Sequence, residues 1–251
     1  MADPLPAALL ALIEDYEVSV ETIRQRVTAY ARATWENQYD HADEAIAGWI
    51  AALAPIVNGA QQLTGTLTAN YLAAFAALVE ANTALTADTI PPDTMSTQAL
   101  RGVDDATLYR RPQIDFWDSI RNGDPSAIAV AIGALHLEEI VWTNLQLART
   151  HAAQRVLTGH LGTVVIGYRR LINGSACSLC RHRHDLFSKH ELMPIHARCR
   201  CGIVPVYSDG PDPGEISLGP PGDDRGTPRV VQHGEVGPML VAEGDHFAPT
   251  R

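Results

Sequence analysis

The sequence predicts a mainly α-helical protein with a small β-hairpin near its C-terminus, and therefore an α+β chain overall. Aromatic residues are only 6% of the 251 residues and alanine supplies much of the 46% apolar content, which favours helices over a bulky sandwich or barrel. Apolar residues recur at helical spacing through most of the first 160 positions. Dense β-branched segments that indicate strands come only after them.

Residues 1–86 are predicted to form a long helical hairpin. From Leu9 onward the apolar residues alternate in steps of four and three, which is the stripe of an amphipathic helix. A second helix is expected to begin near Asp40, whose side chain can cap it. Pro55 and the turn formers at Asn58–Ala60 are expected to kink or split this helix. Alanine-rich helices bury little area each, so they must pack against each other or another subunit.

Residues 87–160 are predicted to form the rest of a helical body. A short helix is expected around residues 112–123. Asp124 and Pro125 are typical of the N-cap and first residue of a third long helix, which would end at Gly159.

A Cys/His module is predicted over residues 161–207. Residues 163–172 and 202–207 have the composition of strands, and the cysteines lie between them. Residues 208–251 contain 7 Pro and 8 Gly, so this tail is expected to be mostly disordered. Two short apolar segments in the tail, "RVVQH" and "GPMLVA", are exceptions that could dock on a partner.

The chain is not expected to enter a membrane or a secretory pathway. Its first residues lack a basic segment and soon meet acidic side chains, and no run of about 18 uncharged apolar residues follows. We therefore expect the protein inside a cell, where paired cysteines are more often metal ligands or reactive thiols than disulfides.

Charge is distributed unevenly along this acidic chain. The formal net charge is −10, yet residues 149–201 carry nine Lys and Arg side chains against two carboxylates, a net of +7. Such a basic segment attracts anionic partners, including DNA.

All four cysteines lie within 25 residues and have the spacing of a zinc site. Cys177 and Cys180 form C-x2-C, and His196, Cys199 and Cys201 form H-x2-C-x-C. A tetrahedral zinc needs four ligands, for which we predict Cys177, Cys180 and Cys199 with either His196 or Cys201. The alternatives are four small buried thiols or a redox pair, although the βαβ context of thioredoxin-like pairs is missing.

Other histidines and arginines surround the cysteines and have several interpretations. The histidines are catalytic or metal-ligating residues, or all of these side chains are solvated surface residues. The arginines also offset the negative charge of a thiolate-rich site, a role that competes with nucleic-acid binding. These residues are His182, His184, His190, Arg181, Arg183, Arg198 and Arg200.

The segment 169–207 resembles the phage Mu F-like minor head proteins, also called head morphogenesis proteins. In that family a strand leads into a Cys-x-x-Cys turn, and a His-x-x-Cys-Arg-Cys element precedes a closing apolar strand. These elements match Cys177, Cys180 and the run from His196 to Cys201. Ala197 occupies a position where the family usually has proline. The match covers about 40 residues, and the helices before it are consistent with the family without being diagnostic.

The resemblance implies a structural protein of the virion, placed in the head interior or at the head–tail interface after assembly in the bacterial host cytoplasm. Its expected partners are the portal and the major capsid or scaffold proteins, with packaged DNA as a further partner of residues 149–201. The resemblance also suggests an alternative, a capsid maturation protease, for which Ser175 and a histidine such as His136, His151 or His160 would supply the chemistry. Because the sequence contains neither G-x-S-x-G nor H-E-x-x-H, we expect a structural role and assign no catalytic residue.

Overall fold

The computed structural model describes residues 5–38, 43–80, 90–159, 164–173, 178–181, 185–208, 213, 216–218 and 227–242. The helices are α1 (Ala7–Glu36), α2 (Asp43–Glu80), α3 (Thr97–Arg101), α4 (Asp105–Tyr109), α5 (Arg111–Arg121), α6 (Ser126–Thr158) and α7 (Ser178–Arg181), with a 3₁₀ turn at Pro92–Met95. The strands are β1 (Val165–Asn173), β2 (Phe187–Ser188), β3 (Gly202–Tyr207), β4 (Ile216–Leu218), β5 (Pro228–His233) and β6 (Gly237–Ala242). The predicted α+β class, mainly helical with a small C-terminal β region, is confirmed.

Helix α2 is continuous from Asp43 to Glu80, so of the predicted kink or split at Pro55 and the residues after it, the split does not occur. Pro55 lies on an exposed face, while Leu53 and Val57 beside it are buried. The packing of these buried side chains keeps the helix continuous although proline cannot donate a backbone hydrogen bond. Asn58 connects α2 to the first residue of α3, because its side-chain oxygen accepts a hydrogen bond from the backbone N–H of Thr97 at 2.9 Å. The predicted cap, Asp40, lies outside the described residues.

Helix α6 is the central element of the helical body and packs against α1, α2 and α5. It begins one residue later than predicted, with Pro125 at the N-cap position, while the Asp124 carboxylate accepts a 2.7 Å hydrogen bond from Ser119. Its most apolar 18-residue window has a mean hydropathy of 1.3, so α6 is long and apolar enough to cross a membrane by length and composition alone. Core helices pass the same test.

The C-terminal part of the chain contains two small sheets. In the first, β1 is central, pairing antiparallel with β3 and β2 and parallel with β4. In the second, the two apolar segments of the tail pair with each other as the hairpin β5–β6. This hairpin is anchored on the loop before β3, where Leu240 N–H donates to Ile195 O at 2.6 Å and Ile195 N–H donates to Pro238 O at 3.1 Å.

One hydrophobic core joins the first sheet to the helices. It contains buried residues of α1, α2 and α6 together with residues of β1 and β3 and with Cys180, Cys199 and Cys201. A second cluster fills the other end of the helical body, between α1, α2, α4, α5 and α6. The cysteine-bearing loops are therefore packed against the helices.

Candidate metal centre

Three predicted ligands meet in the loops between β1 and β3. Cys180 lies on the short helix α7, and His196 and Cys199 lie on the turn that leads into β3. The ligand atoms of these three residues all lie within 4.8 Å of one another, and all three side chains are buried. This group could hold a metal ion.

The spacing of the ligand atoms is close to that of a tetrahedral site. The Sγ atoms of Cys180 and Cys199 are 3.9 Å apart, and Cys180 Sγ lies 3.0 Å from His196 Nε2. Metal–ligand distances of about 2.3 Å to sulfur and about 2.0 Å to nitrogen give tetrahedral edges of about 3.8 Å between sulfurs and about 3.5 Å between sulfur and nitrogen. The two sulfurs therefore already have the required separation, and the imidazole has to move outward by about half an ångström.

The His196 ring has the tautomer that a metal ligand requires. Its Nδ1 donates a hydrogen bond to the Ala197 carbonyl oxygen at 2.7 Å, so in the neutral ring Nε2 has no proton and its lone pair is directed towards Cys180 Sγ.

The remaining two predicted ligands are placed differently. Cys201 is completely buried and shares side-chain hydrogen bonds with Cys180 and Cys199, although it is not in the close group of three. Cys177 lies outside the described residues. Of the two candidates for the fourth ligand, the structure thus brings His196 nearer to the other ligands and leaves Cys201 beside them.

The buried thiols have different acidities. Hydrogen bonds from Cys180 and Cys201, with the nearby His196, hold the pKa of Cys199 well below its ordinary value despite burial. The hydrogen bond with Cys180 favours the Cys201 thiolate, but the neighbouring Cys199 and burial together raise the pKa of Cys201 to about 12. Burial and the neighbouring thiols thus shift the pKa values of Cys199 and Cys201 in opposite directions.

A buried arginine that sequence reasoning missed completes the centre. Arg170, on β1, is 1% exposed, and its Nη1 lies 3.5 Å from Cys180 Sγ and 3.9 Å from Cys199 Sγ. Burial disfavours its charge, yet the sulfurs of Cys180, Cys201 and Cys199 raise the pKa of Arg170 above its ordinary value. The available signal was its position in an apolar strand, where alternate side chains point inward.

Polar groups of the helical body hold the backbone of the centre. Gln146 on α6 donates to the Cys201 carbonyl at 2.9 Å, and Arg149 donates to the same carbonyl at 3.3 Å. Arg149 also forms a buried ion pair with Glu17 on α1. Gly202 follows Cys201 directly, and its missing side chain lets the chain approach this ion pair.

Two of the predicted surface arginines are bound to the helical body. Arg200 stacks on Trp142 with 4.6 Å from its guanidinium carbon to the ring centroid and lies 3.6 Å from a Glu21 oxygen. Arg198 lies within 4 Å of the carboxylates of Glu138 and Glu139 on α6. Much of the positive charge near the cysteines is thus directed at acidic side chains of α1 and α6.

Two of the histidines considered for proteolysis, His136 and His151, lie on α6. His136 Nδ1 contacts the Asp115 carboxylate on the partly exposed surface between α5 and α6. Burial lowers the pKa of His151, which lies on α6. Ser175 and His160, as well as His182, Arg183 and His184, lie outside the described residues.

Comparisons of the chain with protein-family models, characterised proteins and solved structures gave no match. The type of metal site is therefore inferred from the geometry of the centre itself. It is buried, contains sulfur ligands and is enclosed by the protein core, features that are typical of structural metal sites and unlike the open coordination position of catalytic ones.

Proposed function

We propose that the protein is a minor structural head protein of a tailed phage, of the Mu F-like type, in which a bound zinc ion fastens the C-terminal sheet to the helical body. The observation that carries the proposal is the buried group of Cys180, His196 and Cys199, formed by the segment that resembles this family. Its position in a core shared with the helices favours a structural ion.

Zinc is the metal that suits these ligands best. Thiolate and imidazole donors select zinc among the common divalent ions, and a tetrahedral edge of about 3.8 Å between sulfurs matches the Cys180–Cys199 spacing. The purified chain should hold about one zinc ion per molecule, by the stoichiometry of a four-ligand site. Metal analysis that finds none would refute the zinc proposal.

Single substitutions test which side chains hold the ion. Cys180→Ser, Cys199→Ser and Cys177→Ser should each release zinc, since each removes one of the predicted sulfur ligands. His190→Ala is the matched control, because His190 is an exposed histidine of the same segment and should leave the zinc content unchanged. Comparing His196→Ala with Cys201→Ser identifies the fourth ligand.

The helical body offers an apolar surface for a head-protein partner. Ile128, Ile132 and Leu135 are 37–49% exposed and, at spacings of four and three, lie on one face of α6. We propose that this face contacts the portal or a capsid or scaffold protein, as exposed apolar patches often mark interaction sites. Ile132→Asp should prevent co-purification with the co-expressed portal, capsid and scaffold proteins. Val18→Asp, at an exposed valine on α1, should not.

The proposed location in the virion has a direct test. Mass spectrometry of purified particles should find the intact chain in few copies, together with the portal and major capsid proteins. Its absence from particles whose assembly nevertheless depends on its gene would contradict a structural place in the head and favour a role during assembly alone.

DNA is a further proposed partner of residues 149–201. Fewer of their cationic side chains are exposed to a DNA phosphate than the sequence suggests. Arg149 and Arg170 are each 1% exposed and are therefore shielded from a phosphate group, whereas Arg155 is exposed. Binding through the exposed cations should weaken as salt is raised. Affinity for DNA that is independent of salt would exclude phosphate contacts.

A maturation protease remains the alternative, and the contact between His136 and Asp115 is the observation that favours it. An aspartate that orients a histidine is one half of a serine–histidine–aspartate arrangement. Co-expression with scaffold and capsid proteins would reveal trimmed products. Loss of trimming in both Ser175→Ala and His136→Ala would support the protease. If the unmodified chain produces no trimmed scaffold or capsid protein, the protease is excluded.

A further inference from the structure

The hairpin β5–β6 contacts both of the segments that bring Cys180 and His196 to the metal centre. Ile195, the residue before His196, donates its N–H to the Pro238 carbonyl oxygen at 3.1 Å, and its own carbonyl oxygen accepts the Leu240 N–H at 2.6 Å. Strand β6 also packs against α7, the short helix that carries Cys180. Leu240 is 2% exposed and belongs to the same hydrophobic core as Cys180. One strand of the tail thus joins the two sides of the centre.

The turn of the hairpin is fastened to the helical body. Glu235, between β5 and β6, accepts hydrogen bonds from both terminal nitrogens of Arg111 on α5, at 2.9 and 2.6 Å, and lies 3.5 Å from Arg101 on α3. His233 Nδ1 accepts the backbone N–H groups of Glu235 and Val236 at 3.0 and 3.2 Å, which fixes the shape of the turn. A two-pronged contact between arginine and carboxylate sets orientation as well as position. The hairpin is therefore held at its turn by α3 and α5 and along β6 by the segments of the metal centre.

Metal binding acts on the same segments that the hairpin holds. The His196 imidazole has to move outward by about half an ångström to reach tetrahedral spacing from Cys180 Sγ, while two backbone hydrogen bonds fix Ile195 beside it. An ion that binds Cys180 and His196 together fixes α7 relative to this loop, and these are the two surfaces against which β6 packs. The free energies of metal binding and of hairpin docking are therefore coupled, and such coupling is reciprocal.

We propose that the hairpin of residues 228–242, the tail strap, is a metal-responsive device: the bound ion holds the strap on the protein, and the docked strap strengthens metal binding. The proposal rests on the proposed zinc site. It holds for any complete ligand set that includes Cys180 and His196, because only the positions of these two residues enter the argument. Loss of the ion should uncover the arginines of α3 and α5 more often, so the strap links the metal content to the surface of the helical body.

Hydrogen–deuterium exchange of the unmodified chain tests the effect of the metal on the tail strap. Amide hydrogens of β6 exchange when their hydrogen bonds open. Zinc should slow exchange in peptides of residues 236–242 by about tenfold, within the range of about 5–150-fold that is usual for coupled sites. Peptides of residues 46–57 of α2, which pack in the second hydrophobic cluster, are the internal control. A general gain in stability would slow both segments alike, whereas coupling to the strap should slow the strap more.

Charge reversal at Glu235 tests the reciprocal effect on the metal. Glu235→Arg repels Arg101 and Arg111, so it should weaken zinc binding by about the factor by which zinc slows exchange in the strap, measured by competition with a chromophoric chelator. Gln232→Arg is the matched control, because Gln232 is an exposed residue of β5 and its substitution should leave zinc affinity unchanged. The double variant Arg111→Glu with Glu235→Arg restores an ion pair with reversed charges and should recover part of the loss.

The possible results separate the tail strap from the zinc site. If the chain binds zinc but exchange in the strap slows no more than in α2, the coupling is overturned and the zinc site stands. Equal zinc affinities of Glu235→Arg and Gln232→Arg would have the same meaning. If Glu235→Arg fails to fold, which far-ultraviolet circular dichroism would reveal, the exchange measurement on the unmodified chain decides alone. Failure of the unmodified chain to bind zinc would overturn both proposals.

Discussion

Replacing Gly202 with alanine should destabilise the protein far more than a one-methyl change in most places. Gly202 is the first residue of β3 and lies against the buried ion pair between Arg149 and Glu17. A Cβ atom at this position would lie 2.5 Å from Glu17 Oε1, closer still to Arg149 Nη2, and 3.0 Å from Leu171 Cδ2. One of these neighbours must therefore move.

The size of the effect follows from what is displaced. Forcing extra volume into a packed core costs about 1–3 kcal/mol. Breaking a buried ion pair costs about 3–5 kcal/mol, and the methyl group displaces this pair without deleting either partner. We therefore expect a loss of about 3 kcal/mol in the free energy of unfolding, between the two limits. For a chain of this size that corresponds to a fall in Tm of about 6–12 °C.

Urea unfolding at a fixed zinc concentration measures the effect, since bound metal adds to apparent stability. The control is Gly59→Ala in α2, where a Cβ would meet nothing within 4 Å and where alanine should stabilise the helix by about 0.5–1 kcal/mol. Equal unfolding midpoints for Gly202→Ala and the unmodified protein would refute the close approach of β3 to the ion pair.

Three further predictions concern other parts of the fold. Hydrogen bonds from Arg111 lower the pKa of Glu235 below its ordinary 4.5, so this carboxylate stabilises the fold above pH 4.5 and the contribution is lost as the pH falls through the lowered value. Glu235→Gln should therefore lower the free energy of unfolding at pH 7 by about 1 kcal/mol, measured by urea unfolding of the metal-free chain. In acid, where Glu235 is protonated, the variant and the unmodified protein should have equal free energies of unfolding. Arg198 has a φ of 60°, so Arg198→Gly should change Tm little, whereas Arg198→Val should lose about 1–2 kcal/mol from strain. A Cβ at Gly133 would lie 2.8 Å from Cε2 of Trp35, so Gly133→Ala should destabilise by about 1–3 kcal/mol and alter tryptophan fluorescence, and an unchanged spectrum and Tm would contradict this packing.

Local patterns in the sequence were sufficient for the regular elements. The spacing of apolar residues predicted the long helices α1 and α6, and β-branched density predicted β1 to within two residues at its start and β3 without error. Pro55 did not split α2, because a proline on an exposed helix face removes one hydrogen bond while the buried residues around it keep their contacts.

The tail shows a different limit. Its Pro and Gly content predicted a mostly disordered tail with two apolar segments as exceptions. The pairing of these segments into β5–β6 depends on their contacts with each other and with the loop at Ile195. Contacts of this kind join residues far apart in sequence, and composition carries no information about them.

For the candidate metal centre, the sequence by itself determined the ligand types and their spacing, because two short turns that carry Cys and His constrain which side chains can meet. Only the tertiary structure decided that His196 joins Cys180 and Cys199, and that Arg170 is buried against the sulfurs while Arg169 is half-buried. Arg169 and Arg170 are adjacent residues of the same type, so the composition of the strand does not distinguish them. The direction of a strand's side chains and the packing of the sheet on α6 determine which of them is buried, and both depend on the folded chain as a whole.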